Sequence, residues 1–146
     1  LAQQTMTQVN FYTLPSPEKQ SRLQFVCRLT EKAYSLGHRI HILTDSQQQS
    51  KALDDMLWQY SASSFLPHCS LDSGGDNGEP VTLGTELAAA THADVLINLS
   101  TQPCASEGQF SRINEVISAD NESLEQGRVR YRSYKEKAMR IETFKL

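Results

Sequence analysis

The sequence predicts an α/β fold: a mostly parallel central sheet flanked by helices. Three observations carry this. Short runs rich in β-branched and aromatic residues recur at Val9–Leu14, Ile40–Leu43 and Asp94–Ser100. Stretches with apolar residues at helical spacing follow the first two of them. The links between strand and helix are short, the pattern of βαβ units with right-handed crossovers.

Taken in order, "VNFYTL" reads as a buried first strand. Ser16 can cap the helix after it, Pro17 suits a first turn, and Glu18 suits the positive helix end. Leu23, Val26, Cys27, Leu29, Thr30, Ala33 and then Tyr34 or Leu36 make a broad apolar stripe, and Gly37 is the expected stop. Ile40, Ile42 and Leu43 form a second strand. Asp45 or Ser46 caps a second helix over Gln47–Tyr60, with Ala52, Leu53, Met56 and Leu57 inward.

Residues Ser61–Pro80 are rich in Ser, Gly, Asp and Pro and read as a long surface loop. "VTLG" forms a short strand and "GTELAAATHA" a helical turn. "DVLINLS" is the most apolar strand, hence central. Phe110, Ile113, Val116 and Ile117 fall at helical spacing and predict a helix over Phe110–Ser118. A last helix runs from about Glu122 to Met139, and the alternation in "IETFKL" predicts a terminal strand.

With 146 residues the chain is long enough for one core, and residues 9–146 read as a single domain. Met6 is the expected native start; residues 1–8 read as a disordered N-terminal extension or an expression scar. No apolar run approaches the roughly 20 residues of a membrane span. Three cysteines without a CxxC pair favour a reducing, cytoplasmic setting over a disulfide framework. The net charge of −3 hides an asymmetry: Gln126–Leu146 holds seven basic and two acidic residues, the remainder seven basic and 15 acidic. An acidic body with one basic end disfavours general nucleic-acid binding and suits a local anionic partner.

The usual catalytic motifs are missing. The turn after the first strand, "LPSPEK", has no Gly, and Pro15 and Pro17 remove two N–H donors that a phosphate would need. Neither GxGxxG nor GxxxxGK[ST] occurs, and Gly74–Gly75 lacks the context of a phosphate loop. His38, His41 and His68 show no metal-ligand spacing, and His68 reads as a loop-packing residue. Cys27 lies on a buried helix stripe, Cys104 reads as the more exposed thiol, and no nucleophile signature accompanies either.

Two features remain. In "LWQYSASSFLPH", Trp58 and Phe65, with Leu66, Pro67 and His68, either cover the edge of the core or form an exposed aromatic anchor of the kind enriched at protein interfaces. In "GRVRYRSYKEKAMR", Arg128, Tyr131, Arg132 and Lys135 share one helix face, and Leu124 extends it back one turn. That face is a solvated charge run, a dock for a peptide carboxylate, or a single-stranded nucleic-acid contact. Glu136 and the acidic body favour the peptide. Arg130 and Lys137 read as solvated charge.

At these features the chain resembles the chi subunit family of bacterial DNA polymerase III. The matching stretches are "NFYTL", "GHRIHILTD", "LDDMLWQYSASSFLPH", "DVLINLS" and "GRVRYRSYKEK", spanning most of Val9 to Met139; the Leu-Trp…Ser-Phe-Leu-Pro-His pattern is the most specific. The resemblance implies a Rossmann-like fold, no enzymatic activity and no cofactor. It implies two partners: the psi subunit of the clamp loader, and the acidic C-terminal tail of single-stranded DNA-binding protein, with a helicase competing in some members. Psi, by this resemblance, takes Trp58, Phe65, Leu66, Pro67 and His68. The tail takes Arg128, Tyr131 and Arg132, with Lys135 and Leu124 alongside, and DNA is reached only indirectly. A small nucleotide-binding enzyme and a direct single-stranded nucleic-acid binder are the competing readings.

Overall fold

A computed structural model of the chain describes residues 7–60, 66–73, 78–87, 93–104 and 110–146. Its strands are β1 (Gln8–Thr13), β2 (Ile40–Leu43), β3 (His68–Ser70), β4 (Val81–Gly84), β5 (Val95–Asn98), β6 (Arg112–Ile117) and β7 (Arg140–Lys145). The helices are α1 (Lys19–Ser35), α2 (Gln47–Tyr60) and α3 (Asn121–Glu136), with a 3₁₀ turn at Leu71–Ser73. The seven strands form one sheet in the order β3-β4-β2-β5-β6-β1-β7, every pairing parallel. This is the α/β, Rossmann-like architecture the sequence predicts, and "DVLINLS" supplies its central strand, β5.

Two apolar layers flank the sheet. On one face Leu23, Val26 and Cys27 of α1 and Leu53 and Leu57 of α2 pack on Ile40, Ile42, Val81, Leu83, Val95 and Ile97. On the other, Tyr134 of α3 packs with Val9, Phe11, Leu96, Phe110, Ile113 and Ile117. Because β5 is covered on both sides, all four of its residues are buried and it shows no alternation.

The local signals act largely as expected. Ser46 caps α2 by accepting the Gln49 N–H at 3.1 Å, and Asp120 caps α3 by accepting the Ser123 N–H at 3.0 Å. Gly37 stops α1 with φ of +91°. Glu18 sits at the N-cap of α1 without a side-chain bond, and the Ser16 hydroxyl instead accepts the Glu18 N–H one step earlier.

Three expectations are corrected. Phe110–Ser118 is not helical: Arg112–Ile117 is a strand buried at five of six positions. Interior parallel strands bury both faces, so period two vanishes and chance spacing imitates a helix. The stretch read as one long loop contains β3 and the 3₁₀ turn, elements too short to leave a pattern. The last helix ends at Glu136, and Ala138, with φ of 57°, turns the chain into β7. The helical turn expected within "GTELAAATHA" falls mainly outside the described residues.

Candidate functional site

The basic face of α3 stands over the sheet margin formed by β6, β1 and β7. Gly127 lies on the inner side of the helix, where a Cβ would sit 2.6 Å from Ile117 Cδ1. Glycine therefore lets α3 settle against β6 and brings its neighbours down to the sheet. The result is an open pocket of about 350 Å³. Phe11, Thr13, Ile117 and Thr143 form its floor and one wall; Leu124, Arg128, Tyr131 and Arg132 form the other. Phe11 and Tyr131 meet with ring centroids 5.5 Å apart. Lys135 is beside the pocket rather than in it, its Nζ 6.0 Å from the Tyr131 ring centre. Arg128 pairs with Glu125 at 3.0 Å, but both side chains are mostly exposed, so water competes for the contact and an incoming carboxylate can replace it. Such a pocket accepts an apolar or aromatic group while two guanidinium forks engage an adjacent anion.

Four of the five residues assigned to an acidic tail thus converge, with the fifth adjacent. The sequence gives no sign of Phe11, Thr13, Ile117, Gly127 and Thr143, which arrive from other strands or from the helix's inner side.

Arg130 corrects the solvated-charge expectation: it is 3% exposed, and its Nε donates to Glu115 Oε1 at 2.8 Å. Glu115, on β6, also accepts from Tyr134 Oη at 2.6 Å and Asn98 Nδ2 at 2.8 Å. Burial first, and Glu115 next, push the Tyr134 hydroxyl far above its ordinary value, so it stays a donor. This group ties α3 to the sheet beneath the pocket. Cys104, expected to be exposed, is buried, and its N–H donates to Tyr134 Oη. Burial pushes the Cys27 thiol up to about 12, which removes it as a nucleophile.

The second predicted cluster divides by burial. Trp58, on α2, is 55% exposed, and its ring centroid lies 4.5 Å from that of His68. His68 and Leu66 are buried, so they support the indole from beneath rather than present themselves as anchors. His68 Nδ1 donates to Leu66 O at 2.7 Å, and its Nε2 lies 3.2 Å from Asp54 Oδ1. Pro67 is partly buried, and Phe65 lies outside the described residues.

A larger cavity, about 640 Å³, opens outside the carboxyl ends of β2, β5 and β6. The chain leaves β2 toward β3 and leaves β5 toward β6, so this is the crevice where ligands of open α/β sheets usually sit. Here Lys19, Arg22 and Arg130 are matched by Asp45, Asp120 and Glu122 in its lining. Arg22 is already engaged, its Nε donating to Val116 O at 2.8 Å. Burial, then Arg130, lowers its basicity. Among the described residues the lining carries balanced charge and no glycine.

These features define a Rossmann-like α/β protein whose basic helix rims an aromatic pocket. The family model described as "DNA polymerase III chi subunit, HolC" matches residues 6–142. The chain belongs to that family of replication accessory subunits. It is 32% identical over 141 residues to the DNA polymerase III subunit chi of Pseudomonas aeruginosa, covering 97% of this chain and 98% of that protein. It is 26% identical over 121 residues to the subunit chi of Escherichia coli K12, covering 82% of each. The subunit chi of Haemophilus influenzae is 22% identical over 121 residues, 82% of this chain and 84% of that protein.

Proposed function

We propose that this chain is a non-enzymatic, cytoplasmic adaptor. It would link DNA polymerase III, through the psi subunit, to single-stranded DNA coated by its binding protein. The observation that carries the reading is the pocket where Phe11, Ile117 and Tyr131 form an apolar seat beneath Arg128 and Arg132. A disordered acidic tail ending in an aromatic residue offers the complement: a ring for the seat, a terminal carboxylate for a guanidinium, and further acidic side chains for the rim. Exposed ion pairs contribute about 0.2–1 kcal/mol each, so binding is modest and weakens with salt. The exposed ring of Trp58, about which Phe65, Leu66, Pro67 and His68 cluster in sequence, is the proposed psi contact. A helicase would use the same surface. No helix among the described residues is long and apolar enough to cross a membrane.

The test is a titration with an acidic peptide ending in Phe, beside a pull-down with psi. Arg128→Ala should weaken the peptide by about two- to fivefold, the loss of one exposed ion pair, and leave psi bound. Trp58→Ala should lose psi and leave the peptide bound. Unchanged peptide affinity in Arg128→Ala sinks the tail site, and bare oligonucleotide bound as tightly as peptide would favour direct nucleic-acid binding.

A further inference from the structure

We propose that an acidic peptide seated in the α3 pocket continues along β7 as an added eighth strand, a binding mode that rests on the peptide-docking reading above. β7 is the last strand of the sheet, and among the described residues nothing pairs with its outer side. The Leu146 N–H bonds to Thr13 O, which fixes the phase of the pleat. Glu142, Phe144 and Leu146 turn their backbone groups toward β1, whereas Ile141, Thr143 and Lys145 turn theirs outward. Open strand edges of this kind are templates for a further strand unless covered.

The edge is continuous with the pocket, because Thr143 belongs to both. Its charge selects the occupant. Arg128 and Arg132 rim the pocket, Lys135 stands beside it, and Lys145 shares the pleat phase of Thr143. The one acid of β7, Glu142, has the opposite phase and accepts from Gln8 Nε2 at 3.1 Å. An extended acidic chain running out of the pocket would therefore meet open backbone groups and cationic side chains together. A basic or neutral strand would gain only the first.

Backbone amide exchange on the full chain, with and without an acidic peptide ending in Phe, tests this. Saturating peptide should slow exchange at Ile141, Thr143 and Lys145 by about tenfold or more, as new strand bonds require. Glu142 and Phe144, already bonded to β1, should not change. Lys145→Pro removes one outward N–H, a change tolerated at an edge, and should weaken the peptide more than the charge control Lys145→Gln. Arg128-dependent binding without alternate-residue protection, or equal affinities for Lys145→Pro and Lys145→Gln, overturns strand addition and leaves the pocket reading standing. Slowing that extends equally through β5 is global stabilisation by ligand and also overturns it. A peptide that does not bind at all overturns both readings.

Discussion

Gly127 shows how a missing side chain can shape a site. Glycine within a helix costs about 0.5–1 kcal/mol relative to alanine, so an unconstrained Gly127→Ala would stabilise α3. Here the added methyl meets Ile117 Cδ1, the end of a buried side chain that lines the pocket, so either Ile117 is pushed from its place or the helix lifts. We expect Gly127→Ala to lower both the melting temperature and peptide affinity. Ile117→Val deletes the opposing methyl at about 0.5–1.5 kcal/mol alone, yet added to Gly127→Ala it should recover affinity. Thermal melts and peptide titrations on the single and double variants check this; a Gly127→Ala protein more stable than its parent would refute it. The outer face of α3 is legible in sequence because Arg128, Tyr131, Arg132 and Lys135 are local neighbours. The inner face is legible only in retrospect. Gly127, Arg130 and Tyr134 stand at helical spacing on one side, but the charge on Arg130 disguises a buried position.

At the scale of elements, α3 and β6 are joined by a buried ion pair as well as apolar packing. Removing one partner of such a pair leaves an uncompensated charge and costs about 3–5 kcal/mol, whereas replacing both by apolar residues is often neutral or better. Glu115→Ala leaves the Arg130 charge without its carboxylate and takes an acceptor from Tyr134 and Asn98 together. It should lower unfolding free energy by about that amount in a denaturant titration. The double replacement Glu115→Leu with Arg130→Met should be less damaging than Glu115→Ala; a double variant as unstable as the single would argue that the pair itself stabilises the fold. Glu115 also explains the misreading of β6. Asn114 and Glu115 interrupt the apolar run, so strand alternation is hidden in sequence, while the fold buries both sides: Glu115 with Ile113 and Ile117 on one, Asn114 with Val116 on the other. β2 and β5, whose residues are simple hydrocarbons or a buried His and Asn, read correctly from local pattern.

For the whole molecule, stability should depend on pH through a group remote from the pocket. His41 is fully buried in β2 with Nδ1 2.7 Å from Thr82 Oγ1, and burial pushes its ring down to about 4. The folded ring is thus neutral at pH 5, while the unfolded ring takes up a proton below about 6.5. The unfolded state holds more protons between these values, so stability falls as pH drops from 6.5 to 4, by up to about 3 kcal/mol from this group. Asp94 adds a separate loss at lower pH. Its burial opposes the charge, but hydrogen bonds with His38 and Arg39 win and hold the carboxyl below its ordinary range. His41→Asn keeps a partner for Thr82 without titrating, and urea midpoints across pH 4–7 should show a flatter profile. An unchanged slope would assign the acid sensitivity elsewhere.

The strand order carries one more consequence, for how the chain is made. β1 sits between β6 and β7. Asn10 faces Asn114, 104 residues on, and Gln8 reaches Glu142 after 134. β1 is therefore left without either neighbour until the chain more than 100 residues further on has been made. β2 can acquire β4 and β5 much earlier. A nascent chain can assemble that half while "VNFYTL" waits as an unpaired apolar segment, a state open to capture by chaperones or by other chains. The acquisition of a partner by β1, the earliest strand in the sequence, is then a late event, and the wall of the α3 pocket that contains Phe11 and Thr13 is completed only with it.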